Sequence, residues 1–219
     1  MKLLVLGATG PTGQLVISEA LDRGHEVIAL ARSPEKVTAK SDKLQVKSGD
    51  ILSRQDLAAH MSGCDAVLSG VGGKSGTFNP CDVYSTSVRA IVEAMRDAGV
   101  TRFVTVTAWG TKDDPQLPFV WRWILKPTFL RHIMSDMSAM EDYIENQAKD
   151  LNYTVVRPPK LTKLPSQGGE VQVSEGQCVP GAGSEISRQD LARFMLDCLT
   201  TGDYDRKMIA VTGPKTKTG

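Results

Sequence analysis

Three glycines spaced three residues apart mark the start of the chain. They lie in the stretch GATGPTG at 7–13, directly after the apolar run Leu3-Leu4-Val5-Leu6. A buried strand that turns at once into a helix leaves the first helical N–H groups without partners, and their partial positive charge attracts phosphate. Gly7 permits the tight turn, Gly10 lets backbone approach a pyrophosphate, and Gly13 lets the helix pack against the strand. We therefore predict a dinucleotide site whose first contacts are Gly7, Thr9, Gly10, Pro11, Thr12 and Gly13.

Apolar runs and helical stretches alternate after this motif. The runs are short, nearly continuous and rich in Val, Ile and Leu, which is typical of strands buried on both faces of a parallel sheet. Short connections with right-handed crossovers then lead to an α/β fold, a Rossmann-like doubly wound parallel sheet. Strands are predicted at 2–6, 26–31, 44–47, 65–70, 102–107 and 153–157, and helices at 12–23, 54–62, 83–98 and 136–149.

The C-terminal part has a different composition. Residues 158–185 carry five Gly and four Pro, which predicts a small loop-rich lobe on the substrate side. Ser187 to Asp190 then resembles a capping box that opens a helix at 188–199, and a last strand is predicted at 207–212. A chain of 219 residues suits one large domain, so 1–219 are predicted as a single NAD(P)-binding Rossmann domain.

The residues after the second predicted strand indicate which dinucleotide binds. NAD-binding sites usually have an acidic residue there, but this chain has Arg32, with Ser33 beside it and Lys36 four residues later. Two cations and a hydroxyl suit a 2′-phosphate, which favours NADP(H) as cofactor. Alternatively, Arg32 and Lys36 are solvated loop charges. Further along, Asp50 is placed to accept from the adenine amino group and Ile51 to pack on the ring, although Asp50 also fits the start of a helix.

Charge and cysteine content exclude several classes of partner. The formal net charge of +1 gives no electrostatic reason to expect nucleic acid or an anionic membrane as a partner. No apolar run predicts a signal peptide or a membrane span, and the four cysteines are scattered without a C-x-x-C pair. We therefore expect a cytoplasmic protein that acts on a small molecule without a metal.

Four stretches resemble the atypical, extended-type short-chain dehydrogenases, and among them the flavin reductase (biliverdin-IXβ reductase) family. They are GATGPTG at 7–13, GDIL at 49–52, VVRPP at 155–159 and ISRQDLARFMLDCLTTGDYD at 186–205. The resemblance implies a monomer that transfers hydride from NADPH to flavins or linear tetrapyrroles. It also implies that the nicotinamide lies near 70–73, 105–108 and 158–161, which adds Gly70, Val71, Gly72, Thr105, Pro158 and Pro159 to the cofactor contacts.

The chain departs from that family where a proton donor is expected. Ala108 aligns with the family's Ser, Lys160 with a His, and Met137 with a second His. Thr107 is then the nearest hydroxyl, so Thr107 and Lys160 are the catalytic candidates, with a plain loop charge as the alternative for Lys160. No Tyr is followed four residues later by Lys, the pair that protonates carbonyls in ordinary short-chain dehydrogenases. Solvent is the remaining proton source, because hydride transfer depends mainly on how the cofactor is positioned.

All three tryptophans follow the fifth predicted strand. Trp109, Trp121, Arg122 and Trp123 fit an aromatic wall that stacks on a planar substrate. They fit equally a helix that packs its aromatic side chains against the sheet, and a mixed apolar and basic surface for a partner is a third interpretation.

These patterns favour an NADPH-dependent reductase of a planar conjugated acceptor, such as a flavin, a biliverdin-type tetrapyrrole or a quinone. Two alternatives stay open. One is a non-catalytic NADP(H)-binding redox sensor, which has no need of the missing Ser and His. The other is an NADPH reductase of a different carbonyl or enone.

Overall fold

The computed structural model describes residues 1–73, 81–119, 121, 122, 128, 130–166 and 168–215. Strands and helices alternate over most of this length. The strands are β1 (Lys2–Leu6), β2 (Glu26–Ala31), β3 (Leu44–Ser48), β4 (Ala66–Ser69), β5 (Arg102–Val106), β6 (Asn152–Arg157), β7 (Lys160–Thr162), β8 (Val171–Glu175), β9 (Glu185–Ser187) and β10 (Lys207–Pro214). The helices are α1 (Pro11–Asp22), α2 (Arg54–Met61), α3 (Val83–Ala98), α4 (Arg131–Gln147) and α5 (Arg188–Asp197), and a short 3-10 helix covers Pro34–Lys36.

Eight of these strands form one sheet in the order β3-β2-β1-β4-β5-β6-β10-β8. All neighbours pair in parallel except β8, which runs antiparallel to β10 at the edge. The strand order reverses direction between β1 and β4, and such switch points are where doubly wound sheets bind ligands. The prediction of a Rossmann-like doubly wound sheet is confirmed.

Helices cover both faces of the sheet, which explains why the strands are apolar throughout. Leu4 and Leu6 of β1 pack in one core with α2, α3 and α4, whereas Leu3 and Val5 pack in a second core with α1 and α5. Successive side chains of a strand point to opposite faces, so a central strand needs apolar residues at every position. No helix among the described residues has both the length and the apolar character to span a bilayer.

Helix α4 begins five residues before the predicted start at 136. Its N-cap, Leu130, makes no side-chain cap, so the sequence carries no polar signal at that point. Asp136, the predicted first residue, lies inside the helix, and its carboxylate accepts from the N–H groups of Tyr84 (2.8 Å) and Ser85 (3.1 Å) on α3. Asp136 therefore caps a neighbouring helix from the middle of its own.

The region predicted as a loop-rich lobe contains two short strands. β7 pairs in parallel with β9 in a small second sheet, and β8 extends the main sheet. The predicted capping box is present, since Ser187 Oγ accepts from Asp190 N at 3.0 Å. Residues 158–185 are thus tied both to the sheet edge and to the start of α5.

Candidate functional site

The glycine turn after β1 has the tight geometry that its spacing predicts. Gly7 has φ +71°, and a Cβ at this position would lie 2.6 Å from the Gly70 carbonyl carbon. A Cβ on Gly13 would lie 2.2 Å from Gly7 O, so α1 crosses the turn at a distance that only glycine permits. A Cβ on Gly10 would approach only Gly7 O, at 3.3 Å. Gly7 and Gly13 are therefore required for packing, whereas Gly10 leaves space at the surface.

The first turn of α1 has no side-chain cap. Its N-cap is Gly10, followed by Pro11 at the first helical position. The N–H groups of that turn carry the partial positive charge of the helix N-terminus. A phosphate placed there would accept from them, which is how dinucleotide-binding turns hold pyrophosphate.

A cleft of about 440 Å³ opens over this turn, between the carboxyl ends of the central strands. Arg32 and Arg188 are the two charged residues of its described lining, which includes no Asp or Glu. Among the described residues, the exposed Arg32 has neither a hydrogen bond nor an ion pair. The lining consists of Gly7, Ala8, Thr9, Gly10, Pro11, Thr12, Leu30, Ala31, Arg32, Ile51, Gly70, Val71, Gly72, Gly73, Val83, Leu161 and Arg188.

A larger depression of about 560 Å³ lies over residues 181–187 and 212–215. It is lined by none of the glycine-turn residues. The cleft over the N-terminus of α1 combines free amides with unpaired cations, so it is the candidate site.

Several predicted cofactor contacts lie beside the cleft rather than in its lining. Ser33 and Lys36 bound the 3-10 helix that follows Arg32 directly. Asp50 accepts from Leu52 N at 3.1 Å, in the turn that leads into α2, while its neighbour Ile51 does line the cleft. Asp50 belongs to the turn before α2, whose N-cap is Ser53, so it does not start the helix, and its contact with adenine stays a prediction.

Three further predicted contacts are buried. Thr105 is 1% exposed within β5, between Ser69 of β4 and Val155 of β6. Pro158 and Pro159 are also buried, and Pro158 O accepts from Trp109 N at 2.9 Å. Thr105, Pro158 and Pro159 thus lie beneath the surface at the ends of β5 and β6, and their contact with the cofactor stays a prediction.

Thr107, a predicted catalytic residue, belongs to a buried polar cluster. It is 3% exposed, and its hydroxyl donates to Glu141 Oε1 at 2.7 Å. Glu141 is fully buried and also accepts from Thr111 Oγ1 at 2.8 Å and from the guanidinium of Arg157. The Thr107 hydroxyl thus donates its proton to an interior carboxylate on α4, and its catalytic role stays a prediction.

Lys160, the second catalytic candidate, points to solvent. Its Nζ lies 2.6 Å from Glu185 Oε1, and the two side chains are 71% and 51% exposed. Exposed pairs of this kind contribute at most about 1 kcal/mol. Lys160 is absent from the described lining of the cleft, which favours the loop-charge alternative, and its catalytic role stays a prediction.

The described tryptophans pack in the interior. Trp109 is 3% exposed, donates from its indole N–H to Val211 O at 3.1 Å, and packs with Leu117, Cys178 and Ala210. Trp109 is therefore held by packing, and its contact with substrate stays a prediction.

Trp121 packs against the same group and against Gly110, where a Cβ would lie 2.4 Å from the Trp121 Nε1. Trp121 packs as in the helix-packing alternative. Arg122 is half-buried and stays a prediction, and Trp123 lies outside the described residues.

The chain matches a known protein family over most of its length. The sequence profile of a family described as NAD(P)H-binding matches residues 7–202, which begin at the first glycine of the turn. The chain belongs to this NAD(P)H-binding family. The glycine turn, the uncapped start of α1 and the lack of carboxylates in the described cleft lining agree with dinucleotide binding.

Proteins named as reductases are among those to which this chain is similar. The chain is 30% identical to the divinyl chlorophyllide a 8-vinyl-reductase of Zea mays over 97% of its own length, but it spans only 55% of that protein. Two solved structures share the fold. A wide-type short-chain dehydrogenase/reductase from Veillonella parvula, in complex with NADP, has a TM-score of 0.78 at 16% identity, covering 98% of this chain and 95% of that one. SP1627 from Streptococcus pneumoniae, assigned as an NADH-flavin reductase, has a TM-score of 0.75 at 24% identity, covering 98% and 100%.

Sequence reasoning missed two features of this NAD(P)H-binding site. Arg188 lines the cleft although it begins α5, far along the chain. Tyr84 of α3 accepts from Gly73 N at 2.9 Å and so holds one wall of the cleft. Burial raises the pKa of Tyr84, which keeps its hydroxyl neutral. A pattern of neighbouring residues predicts neither feature, because both depend on helices that pack against the ends of distant strands.

Proposed function

We propose that the protein is an NADPH-dependent reductase that transfers hydride to a planar conjugated acceptor, namely a flavin, a biliverdin-type tetrapyrrole or a quinone. The observation that carries this proposal is the cleft over the glycine turn, which has free helix amides, no carboxylate in its described lining and an unpaired Arg32. Membership of the NAD(P)H-binding family supports it.

The preference for NADPH over NADH rests on the end of β2. Ala31 ends this strand and Arg32 follows it, at the position where NAD-binding folds usually have an acidic residue. Arg32 is exposed at the rim of the cleft and has no partner among the described residues. A guanidinium offers two parallel N–H donors to a phosphate, so a 2′-phosphate would satisfy a group that is otherwise unpaired.

The residues after β4 support a site for the acceptor. Gly70, Val71, Gly72 and Gly73 line the cleft there, and a Cβ on Gly72 would meet no described residue within 4 Å. Bound NADPH would supply the hydride, and an acceptor beside Gly72 would meet no side chain from this residue. The vinyl reductase relative, whose name gives a tetrapyrrole-type substrate, agrees with an acceptor of this class.

Water supplies the proton in this proposal. In the described part of the lining the side chains include no Asp, Glu, His, Cys, Tyr or Lys. Thr107 donates to Glu141 and Lys160 pairs with Glu185, so neither candidate is available to an acceptor in the cleft. Positioning of cofactor and acceptor is then the main contribution of the protein to the rate.

The proposal is tested by following the NADPH absorbance of the purified protein while FMN, biliverdin and a quinone are added in separate reactions, each repeated with NADH. We expect consumption of NADPH with at least one acceptor and much slower consumption of NADH. Saturable NADPH binding with no turnover on any of the three would contradict the reductase and favour the redox sensor or a different carbonyl substrate.

A further inference from the structure

Arg188 is the second cation in the described lining of the dinucleotide cleft, beside Arg32. It is the first residue of α5, directly after β9, yet it lines the cleft together with Gly10, Pro11 and Thr12 of the glycine turn. It also lines, with Pro11 and Leu15, a shallower groove of about 230 Å³. Pro11 is the first helical residue of α1, so the guanidinium and the first turn of α1 border the same space.

The position of Arg188 is fixed by its neighbours on both strands of the small sheet. Ser187, the last residue of β9, caps α5 by accepting from Asp190 N at 3.0 Å. The Arg188 Nη1 donates to Leu161 O at 3.4 Å and Thr162 O at 3.2 Å, on β7. Within the described residues these are its bonds, so Nε and Nη2 keep their donors free.

The charge of Arg188 has no counterion in the described chain. The side chain is half-buried, and no ion pair joins it to a carboxylate there. A partly desolvated guanidinium with free donors is most stable when an anion binds it, and phosphate oxygens fit its fork. The described cleft lining that it shares with Arg32 includes no Asp or Glu, so a bound ligand is the natural source of that anion.

We infer that Arg188 binds the pyrophosphate of the dinucleotide and thereby ties the β7–β9 sheet to the bound cofactor. The inference rests on the proposed function only in assuming that the cleft takes a dinucleotide. Arg32 and Arg188 then differ in what they recognise. Arg32 contacts the 2′-phosphate that distinguishes NADPH from NADH, whereas Arg188 contacts phosphates that both cofactors share.

The experiment measures dissociation constants of NADPH, NADH and adenosine 2′-monophosphate by calorimetry for the wild type, R188Q, R188K and R32Q. The third ligand carries a 2′-phosphate without a pyrophosphate. R193Q is the matched control, because Arg193 lies on the same helix, contacts Ser166 Oγ at 3.2 Å and is absent from the cleft lining.

We expect R188Q to weaken NADPH and NADH alike, by about tenfold, and to leave adenosine 2′-monophosphate unchanged. R188K, which keeps the charge without the fork, should fall between R188Q and the wild type. R32Q should weaken NADPH and adenosine 2′-monophosphate while NADH stays unchanged, and R193Q should bind all three like the wild type.

Three results would overturn the inference. The first is R188Q binding both dinucleotides as tightly as the wild type. The second is a loss of affinity for adenosine 2′-monophosphate in R188Q equal to its loss for the dinucleotides, which would mean that the variant disturbs the whole cleft. The third is a lower melting temperature of R188Q combined with dinucleotide binding by R188K that is as weak as that of R188Q. Arg188 would then support the cleft through its bonds to the β7 carbonyls alone. Wild-type protein that binds the dinucleotides without reducing any acceptor would contradict the proposed function and leave the assignment of Arg188 intact.

Discussion

Glu141 and Arg157 form a two-point ion pair in the interior, with Oε1 2.9 Å from Nε and Oε2 2.7 Å from Nη2. Glu141 is fully buried on α4, and the Arg157 side chain is 6% exposed at the end of β6. Arg157 Nη1 also donates to Gly176 O at 3.0 Å. The pair therefore joins α4, the end of β6 and the loop after β8 directly behind the edge of the sheet that carries the cleft.

Glu141→Gln should destabilise the protein by about 3–5 kcal/mol, because it leaves the buried Arg157 charge without its counterion. The free energy of unfolding in urea measures this effect. Glu185→Gln is the control, since it removes the exposed pair with Lys160 and should cost at most about 1 kcal/mol. Equal losses of unfolding free energy in the two variants would show that the interior ion pair stabilises the protein no more than the exposed pair does.

Thr107→Val should cost stability and leave turnover unchanged. The variant loses one hydrogen bond to a buried carboxylate, which is typically worth about 1.5–3 kcal/mol, while Thr107→Ser retains the donor. The comparison needs the unfolding free energy and kcat with the acceptor that proves most active. A fall in kcat of about a hundredfold, as expected for loss of a general acid, would restore the catalytic role.

Alanine substitutions at two glycines of the turn should have different effects, one mainly on stability and the other mainly on NADPH affinity. A Cβ at Gly13 would lie 2.2 Å from Gly7 O, so Gly13→Ala should unfold or strongly destabilise the chain. Gly10 has φ −78° and a nearest approach of 3.3 Å to Gly7 O, so Gly10→Ala should lower the melting temperature far less than Gly13→Ala and weaken NADPH binding about tenfold or more.

Gly183→Ala is the control for these variants, since a Cβ there would meet nothing within 4 Å and the residue lies outside the cleft lining. It should match the wild type in both melting temperature and NADPH affinity. Unchanged NADPH affinity in Gly10→Ala would contradict the position given to the pyrophosphate.

Stability should fall at high pH because of Cys198. Burial raises the pKa of this thiol from 9.0 to about 12. The folded state therefore holds its proton between these values while the unfolded state releases it, so the free energy of unfolding decreases as the pH rises above about 9. Urea unfolding from pH 8 to 10.5 should show a shallower decrease in Cys198→Ala, and identical slopes would contradict this origin.

The architecture was predictable because its signals are local. Gly7, Gly10 and Gly13 stand next to the strand and helix they connect. The apolar strands of the sheet could be recognised from their own residues, without information on which strands they pair with. The start of α4 was not predictable, since Leu130 gives no cap signal and Asp136 serves a different helix.

The part of the site formed by the glycine turn and Arg32 was predictable from the sequence. The part formed by contacts between elements distant in sequence was not. Thr107 is next to Ala108 in sequence, but alternation along the chain after β5 turns its hydroxyl towards Glu141, which lies 34 residues away. The aromatic side chain of Trp109 fits a wall that stacks on a substrate, yet its indole N–H donates to Val211 O. Arg188 lies in a stretch recognisable from the family, but its place in the cleft depends on how β9 pairs with β7.

The most direct measurement is a titration of the wild-type protein with NADPH and with NADH, followed by nicotinamide fluorescence. Saturable binding of one NADPH per chain, with NADH bound at least about tenfold more weakly, is the result expected from the glycine turn and the unpaired Arg32. Equal affinity for the two cofactors, or no binding of either, would contradict the assignment of this cleft as an NADPH site.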